Sequence, residues 1–311
     1  MSRCPYCNKL LKPGATFCRG HNIAYKARMT KQWNVYNNIE AKRELIKYGW
    51  LEEVVPAFQE ISYKFRKFGI ELETVSSNHT SVAKTIDFVR TFGINIDTVD
   101  YTHRTTSFWK VTTDASLTNG YGREFVSPPF TEESAAFIEI RKMCDAMSLL
   151  NVSVNSSCGF HVHLDISDLT PKQVARVLKF YQVYESDIDK LHQNSRRGQN
   201  LRYCGGLASY TLNPDSISNL NQLTSLFSTR YLKVNIQAYL RHGTLEFRQH
   251  GGTVNALKII NWVKFCTRVI EYAKTDNIIS RDIDLFTALN LSEEEKFYWN
   301  VRKEQLRGGV A

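Results

Sequence analysis

The strongest signal along the chain is an alternation of apolar and polar side chains, which a β-strand sorts onto two chemically different faces. In Gly69–Thr74, Ile70, Leu72 and Thr74 fall on one face, and Glu71 and Glu73 on the other. In Trp109–Asp114, Trp109, Val111 and Thr113 oppose Lys110, Thr112 and Asp114. In Phe160–Ile166, the apolar residues oppose His161, His163 and Asp165. Leu232–Arg241 sets Leu232, Val234, Ile236, Ala238 and Leu240 against Lys233, Asn235, Gln237, Tyr239 and Arg241. Thr244–His250 sets Leu245 and Phe247 against Thr244, Glu246, Arg248 and His250. A shorter strand is expected around Glu124, between a glycine turn at Gly120 and the pair Pro128-Pro129, and a hairpin would bring Glu124 near Asp114.

Helical periodicity alternates with these strands. Apolar residues recur at helical spacing over 132–150, 171–193 and 255–274, and the second run opens with Thr170 as a cap and Pro171 at the first helical position. Such helices are the simplest cover for the apolar sheet faces, which predicts an α+β domain over residues 61–275. Residues 26–60 carry looser apolar stripes, stopped at Pro56, and are expected to form a helical linker. Residues 276–311 are expected to be a polar tail with a short helix.

The first residues form a separate unit, 1–25. Cys4 and Cys7 bracket two residues, as do Cys18 and His21, with a Pro-Gly turn signal between the pairs. Paired ligands at that spacing can wrap one tetrahedral zinc ion, which would supply the folding energy of a segment too short for a core.

Composition narrows the picture modestly. A chain of 311 residues, 42% hydrophobic and 23% charged, can bury one substantial core. No apolar run is long enough to cross a bilayer and the N-terminus has no signal-peptide stretch, so the expectation is a soluble cytoplasmic protein (host cytoplasm for a phage-encoded one) with no membrane partner. The formal net charge of +9 suits nucleic acid, an acidic protein or a phosphorylated ligand such as ATP, and does not choose among them.

The polar strand faces choose. A merely solvated face would take Lys, Thr, Ser and Glu freely, whereas these positions favour Glu, Asp, His, Arg and Asn. Clustered acids repel unless cations join them, and magnesium with its preference for hard oxygen ligands is the expected cation. A nucleic-acid-binding module built from the zinc knuckle, the positive charge and the arginine-rich loop is the competing class, but it leaves Glu71, Glu73, Glu124 and Glu246 unexplained.

Read in order, the stretches FGIELET, WKVTTDASL, GREFVSPP, CGFHVHLD, RYLKVNI and GTLEFRQHGGT resemble the phage- and bacteria-associated amidoligase family, part of the larger group that includes glutamine synthetase and glutamate–cysteine ligase. They run from Phe68 to Thr253. The resemblance implies a curved antiparallel sheet, backed by helices, whose concave face holds ATP and magnesium. It implies Glu71, Glu73, Glu124, His161 and Glu246 as metal ligands, with His163 near the nucleotide phosphates. Asp114 would be a ligand or contact the amine, and Arg248 would touch phosphate or substrate carboxylate. Arg230 and Lys233 are candidates to stabilise the transferring phosphoryl group, although surface solvation is the better reading of Lys233. Arg196 and Arg197, in a basic glycine-containing loop, could close over phosphates. The substrates implied are an amino acid, peptide or protein carboxylate and an amine acceptor, with nucleic acid a further possible partner of the knuckle.

Overall fold

The computed structural model describes residues 61–76, 82–99, 104–112 and 122–307. The zinc-knuckle positions Cys4, Cys7, Cys18 and His21, the linker over 26–60 and Asp114 lie outside the described residues.

Among the described residues eight strands form one sheet: β1 (Phe68–Ser76), β2 (Ile96–Thr98), β3 (Trp109–Thr112), β4 (Gly122–Val126), β5 (Val152–Ser153), β6 (Gly159–Asp165), β7 (Val234–Asn235) and β8 (Thr244–Gly251). The spatial order is β2-β3-β4-β1-β6-β8-β7, with β5 also paired to β1. Every pairing is antiparallel except the short β2–β3 edge. The alternation therefore does the work the sequence predicts at the centre: Leu72 lies beside Phe125 and Phe160, Ile70 beside Val162, and Phe247 beside Val162, all buried.

Eight helices accompany the sheet among the described residues: α1 (Val82–Arg90), α2 (Glu133–Leu149), α3 (Pro171–Asp189), α4 (Leu220–Leu226), α5 (Tyr239–His242), α6 (Ala256–Ala273), α7 (Leu285–Ala288) and α8 (Glu293–Arg307). The start of α3 is a capping box: Thr170 accepts from the Gln173 amide while the Gln173 side chain accepts from the Thr170 amide. Asn255 caps α6 by a single bond, accepting from Lys258 N–H. The apolar sides of α2, α3 and α6 bury Met147, Tyr181 and Trp262 with the apolar sheet face. Arg66, on the lead into β1, clamps this layer through Asp168 at 2.6 Å and Glu271 at 2.7 Å.

Three expectations are corrected here. Leu232–Arg241 is not one strand: β7 has two residues, and the chain then turns into α5. Lys233, ahead of that strand, does not lie on a solvated or ligand-facing surface. Its side chain is fully buried, with the ammonium 2.8 Å from Glu185 and 2.6 Å from Asp189 on α3. Residues after 275 are not simply a polar tail, because α7 and α8 bury Phe286, Phe297 and Trp299. Charged residues at the start of α8, Glu293, Glu294 and Glu295, mask those aromatics in any average over the sequence.

A fourth correction concerns β8. Phe160 pairs with His250 and Val162 with Phe247, so β8 spends two residues, Arg248 and Gln249, opposite His161 alone. This β-bulge breaks the strict alternation. Glu246 and Arg248 keep the polar face, but His250 swings into the helix layer, edge-on to Phe160 and beside Trp262 and His192. Gln249 also turns inward, bonding the Tyr181 hydroxyl and Asp189.

Burial, reinforced by nearby Arg302 and Arg196, pushes His250 down to about 3, and holds His192 well below the usual imidazole range. Both therefore stay neutral in the fold while the unfolded chain takes up protons near pH 6.5. Their folded-state pKa values are depressed, so stability is lost as pH falls below about 6.5, by about 2 kcal/mol for His250 between pH 7 and 5. Urea unfolding of the wild type and of His250→Gln at both pH values tests this. The variant should lose clearly less stability on acidification; equal losses would contradict it.

Candidate active site

The polar face of β1, β3, β4, β6 and β8 floors a cavity of about 1220 Å³. Strand register sets its contents in rows. Lys110, Val126, Glu71 and His161 lie side by side across β3, β4, β1 and β6. The next row holds Thr112, Glu124 and Glu73, and the row on the other side holds Gly69, His163, Glu246 and Asn235. Acids far apart in the sequence thus meet because antiparallel partners share a face.

Glu71 is the hub. Its carboxylate lies 3.0 Å from His161 Nδ1 and 3.2 Å from His163 Nε2. Glu246 approaches the same two rings at 3.5 and 3.8 Å, and Glu73 reaches His161 Nε2 at 3.7 Å. Glu246 is further held by Asn235 Nδ2 at 2.6 Å and by the Arg248 guanidinium. Glu73 accepts the Gly159 amide, and His163 Nδ1 sits 3.0 Å from the Thr244 hydroxyl.

The electrostatics follow from this crowding. Burial alone would raise the Glu71 and Glu246 carboxyls. For Glu71, His163 and His161 outweigh burial and hold the group well below the usual carboxylate range. For Glu246, Arg248 and His163 outweigh burial and lower it. Burial opposes charge on His163, yet Glu246 and Glu71 raise it above its ordinary value. Burial also opposes charge on Arg248, but Glu246 and Glu71 keep it a cation. Lys110 is lowered by burial despite the acids near it.

Two sets of three side chains bring one ligand atom each within 4.8 Å of one another: Glu71, His163 and Glu246, and Glu71, Glu124 and His161. These oxygen-rich sets with one imidazole fit a hard divalent cation such as magnesium or manganese. His163 Nε2 adds a specific observation: it is buried, 3.2 Å from a Glu71 oxygen and 3.8 Å from a Glu246 oxygen. Two carboxylates drawn onto one imidazole nitrogen repel each other, and a cation shared among the three groups relieves that repulsion.

Gly159 fits the same crowding. A Cβ there would lie 2.6 Å from His161 Nε2 and 3.2 Å from Glu73 Oε2. Gly159→Ala is expected to keep the fold and weaken divalent-cation affinity by about tenfold or more, since it displaces one ligand ring and its neighbour. Calorimetric manganese titration checks this, and unchanged affinity would remove His161 from the ligand set.

The other predicted residues are distributed unevenly. Glu124, Arg230 and Arg248 line the cavity, Arg230 with its guanidinium over the Tyr231 ring at 5.1 Å. Arg196 also lines it, but its guanidinium is engaged with the Ser157 and Cys158 carbonyls. Arg197 and Lys233 are not among the lining residues: Arg197 Nε donates to the His192 carbonyl at 2.8 Å, and Lys233 belongs to the buried pair described above. Arg104 and Asn235 line the cavity without having been singled out as site residues. Asn235 stood on a predicted polar face, whereas Arg104 lies in an irregular stretch with no pattern to expose it.

Residues 64–270 match the family described as "putative amidoligase enzyme". No curated protein matches the chain. Among the described residues, no helix is long and apolar enough to cross a membrane.

Proposed function

The chain belongs to the amidoligase family, and on that premise we propose that it is an ATP- and magnesium-dependent carboxylate–amine ligase. The observation that carries this reading is the convergence of Glu71, Glu124 and Glu246 with His161 and His163 on one cavity floor. Such a cluster has no use for a free anion, but suits a triphosphate accompanied by divalent cations.

The reaction would run in two steps. An oxygen of the substrate carboxylate attacks the γ-phosphorus of ATP, the bond to the β-phosphate oxygen breaks, and ADP leaves. An amine then attacks the acyl carbon, and phosphate departs with the original carboxylate oxygen while the amine loses a proton. Bound divalent ions, held by Glu71, Glu73, Glu124, His161, His163 and Glu246, would neutralise charge on the triphosphate. Arg248, held cationic at the bulge, and Arg230 at the rim would bind phosphoryl oxygens or the substrate carboxylate. Glu246 and Tyr203 orient the Arg248 guanidinium, and Asn235 fixes Glu246 in turn.

The test is a reaction with magnesium, ATP, pooled amino acids or peptides carrying ¹⁸O in their carboxylates, and an amine. The expected result is ADP together with ¹⁸O-labelled phosphate and a new amide mass. Unlabelled phosphate with no amide would mean hydrolysis alone and would overturn the reading.

A further inference from the structure

A second cavity, of about 420 Å³, is lined by His192, His250, Lys258 and Arg302 together with Gly251 and Gly252. Residues adjacent in the chain line the two cavities: Ser157 and Arg196 the first, Ser156 and Ser195 the second. Their chemistry is opposite. The first is floored by carboxylates, whereas among the described residues no Asp or Glu lines the second.

Arg302 is only 7% exposed and meets no carboxylate among the described residues. Lys258, two residues into α6, is half-buried and its ammonium likewise meets none. Burial and then the nearby Arg302 push Lys258 down to about 8. His192 Nε2, on a side chain 2% exposed, has no hydrogen-bond partner among the described residues. Two like charges and an unbonded imidazole nitrogen, gathered in a concavity at the start of an eighteen-residue helix, are unfavourable by themselves. A metal ion would worsen the repulsion. A small anion removes it, by accepting from the Arg302 fork, the Lys258 ammonium and the N-terminal end of α6.

We propose that this cavity binds a small phosphate-bearing ligand, at a site separate from the carboxylate-floored one. A phosphate monoester matches the two cations in charge and offers acceptors alone, as a cavity lined by donors requires. The volume suits a ligand of metabolite size. The site does not depend on the ligase assignment, because none of the residues that would hold cations contributes to it.

The experiment is calorimetric titration with inorganic phosphate and, separately, with the dicarboxylate malonate, in EDTA at constant ionic strength. Wild type and Glu71→Gln should bind phosphate equally and more tightly than malonate. Arg302→Met and Lys258→Met should each bind phosphate about tenfold more weakly or worse. A second readout separates binding from folding: in phosphate-free buffer Arg302→Met should melt at the same temperature as wild type or higher, since it removes a charge with no ionic partner. Equal phosphate affinity in wild type and Arg302→Met would overturn the proposal, as would preference for malonate, loss of binding in Glu71→Gln, or a lower melting temperature of Arg302→Met without phosphate.

Discussion

Replacing Glu71 by glutamine is expected to lower ATP-dependent turnover by about 10³-fold or more, because one carboxylate serves both candidate cation positions. Glutamine keeps the size of the side chain and an acceptor for the His161 and His163 rings, so packing on β1 should survive. The stability effect is far smaller. In metal-free protein His163 and His161 hold Glu71 well below the usual carboxylate range, so its charge favours the folded state at neutral pH. Neutralising it should lower the urea midpoint modestly, with unfolding still cooperative. Turnover lost far beyond the small fraction of unfolded protein is what a residue held for chemistry gives; activity lost only in proportion to the unfolded fraction would mark Glu71 as structural instead. The measurement is initial-rate kinetics beside urea unfolding in EDTA.

The largest expected effect on folding lies at Lys233. Its ammonium sits between Glu185 and Asp189 with no access to solvent. Glu185 also accepts the Leu207 and Ala208 amides, and Asp189 accepts the Gly198 amide and Gln249. The backbone of Lys233 in turn bonds Gly205 and Arg248. The lysine thus ties the loop after α3, the start of β7 and the bulged part of β8 to one helix. Lys233→Met leaves two buried carboxylates with no cation and should cost about 3–5 kcal/mol. Combining it with Glu185→Gln and Asp189→Asn should recover part of that loss. Urea midpoints for the single and triple variants decide it: a midpoint for Lys233→Met equal to wild type would contradict the structural role.

Lys233 also shows where reading the sequence runs out. A lysine on an alternating segment resembles a surface or phosphate-binding group, because the sequence does not reveal acids on a helix over forty residues earlier. The central strands were legible for the opposite reason. Glu71, Glu73, His161 and His163 lie where strand geometry is regular, so a period of two carries each side chain to the correct face. The helices over 133–149, 171–189 and 256–273 were similarly open to inspection, since apolar residues recur there at helical spacing and Thr170-Pro171 marks the start of the second. His250 failed because one extra residue in β8 reverses every later side chain without changing composition. Arg104 failed because an irregular loop has no period to follow. The alternation found the chemical face, but only register could show that Glu71 touches His163 and Glu246 at once.

The most direct test of the account is the anomalous scattering of manganese in crystals grown with the cation and a non-hydrolysable ATP analogue. The account predicts peaks among Glu71, His163 and Glu246 and among Glu71, Glu124 and His161, with the triphosphate against them and both peaks lost in Glu71→Gln. Manganese absent from this cavity, or unaffected by Glu71→Gln, would contradict it.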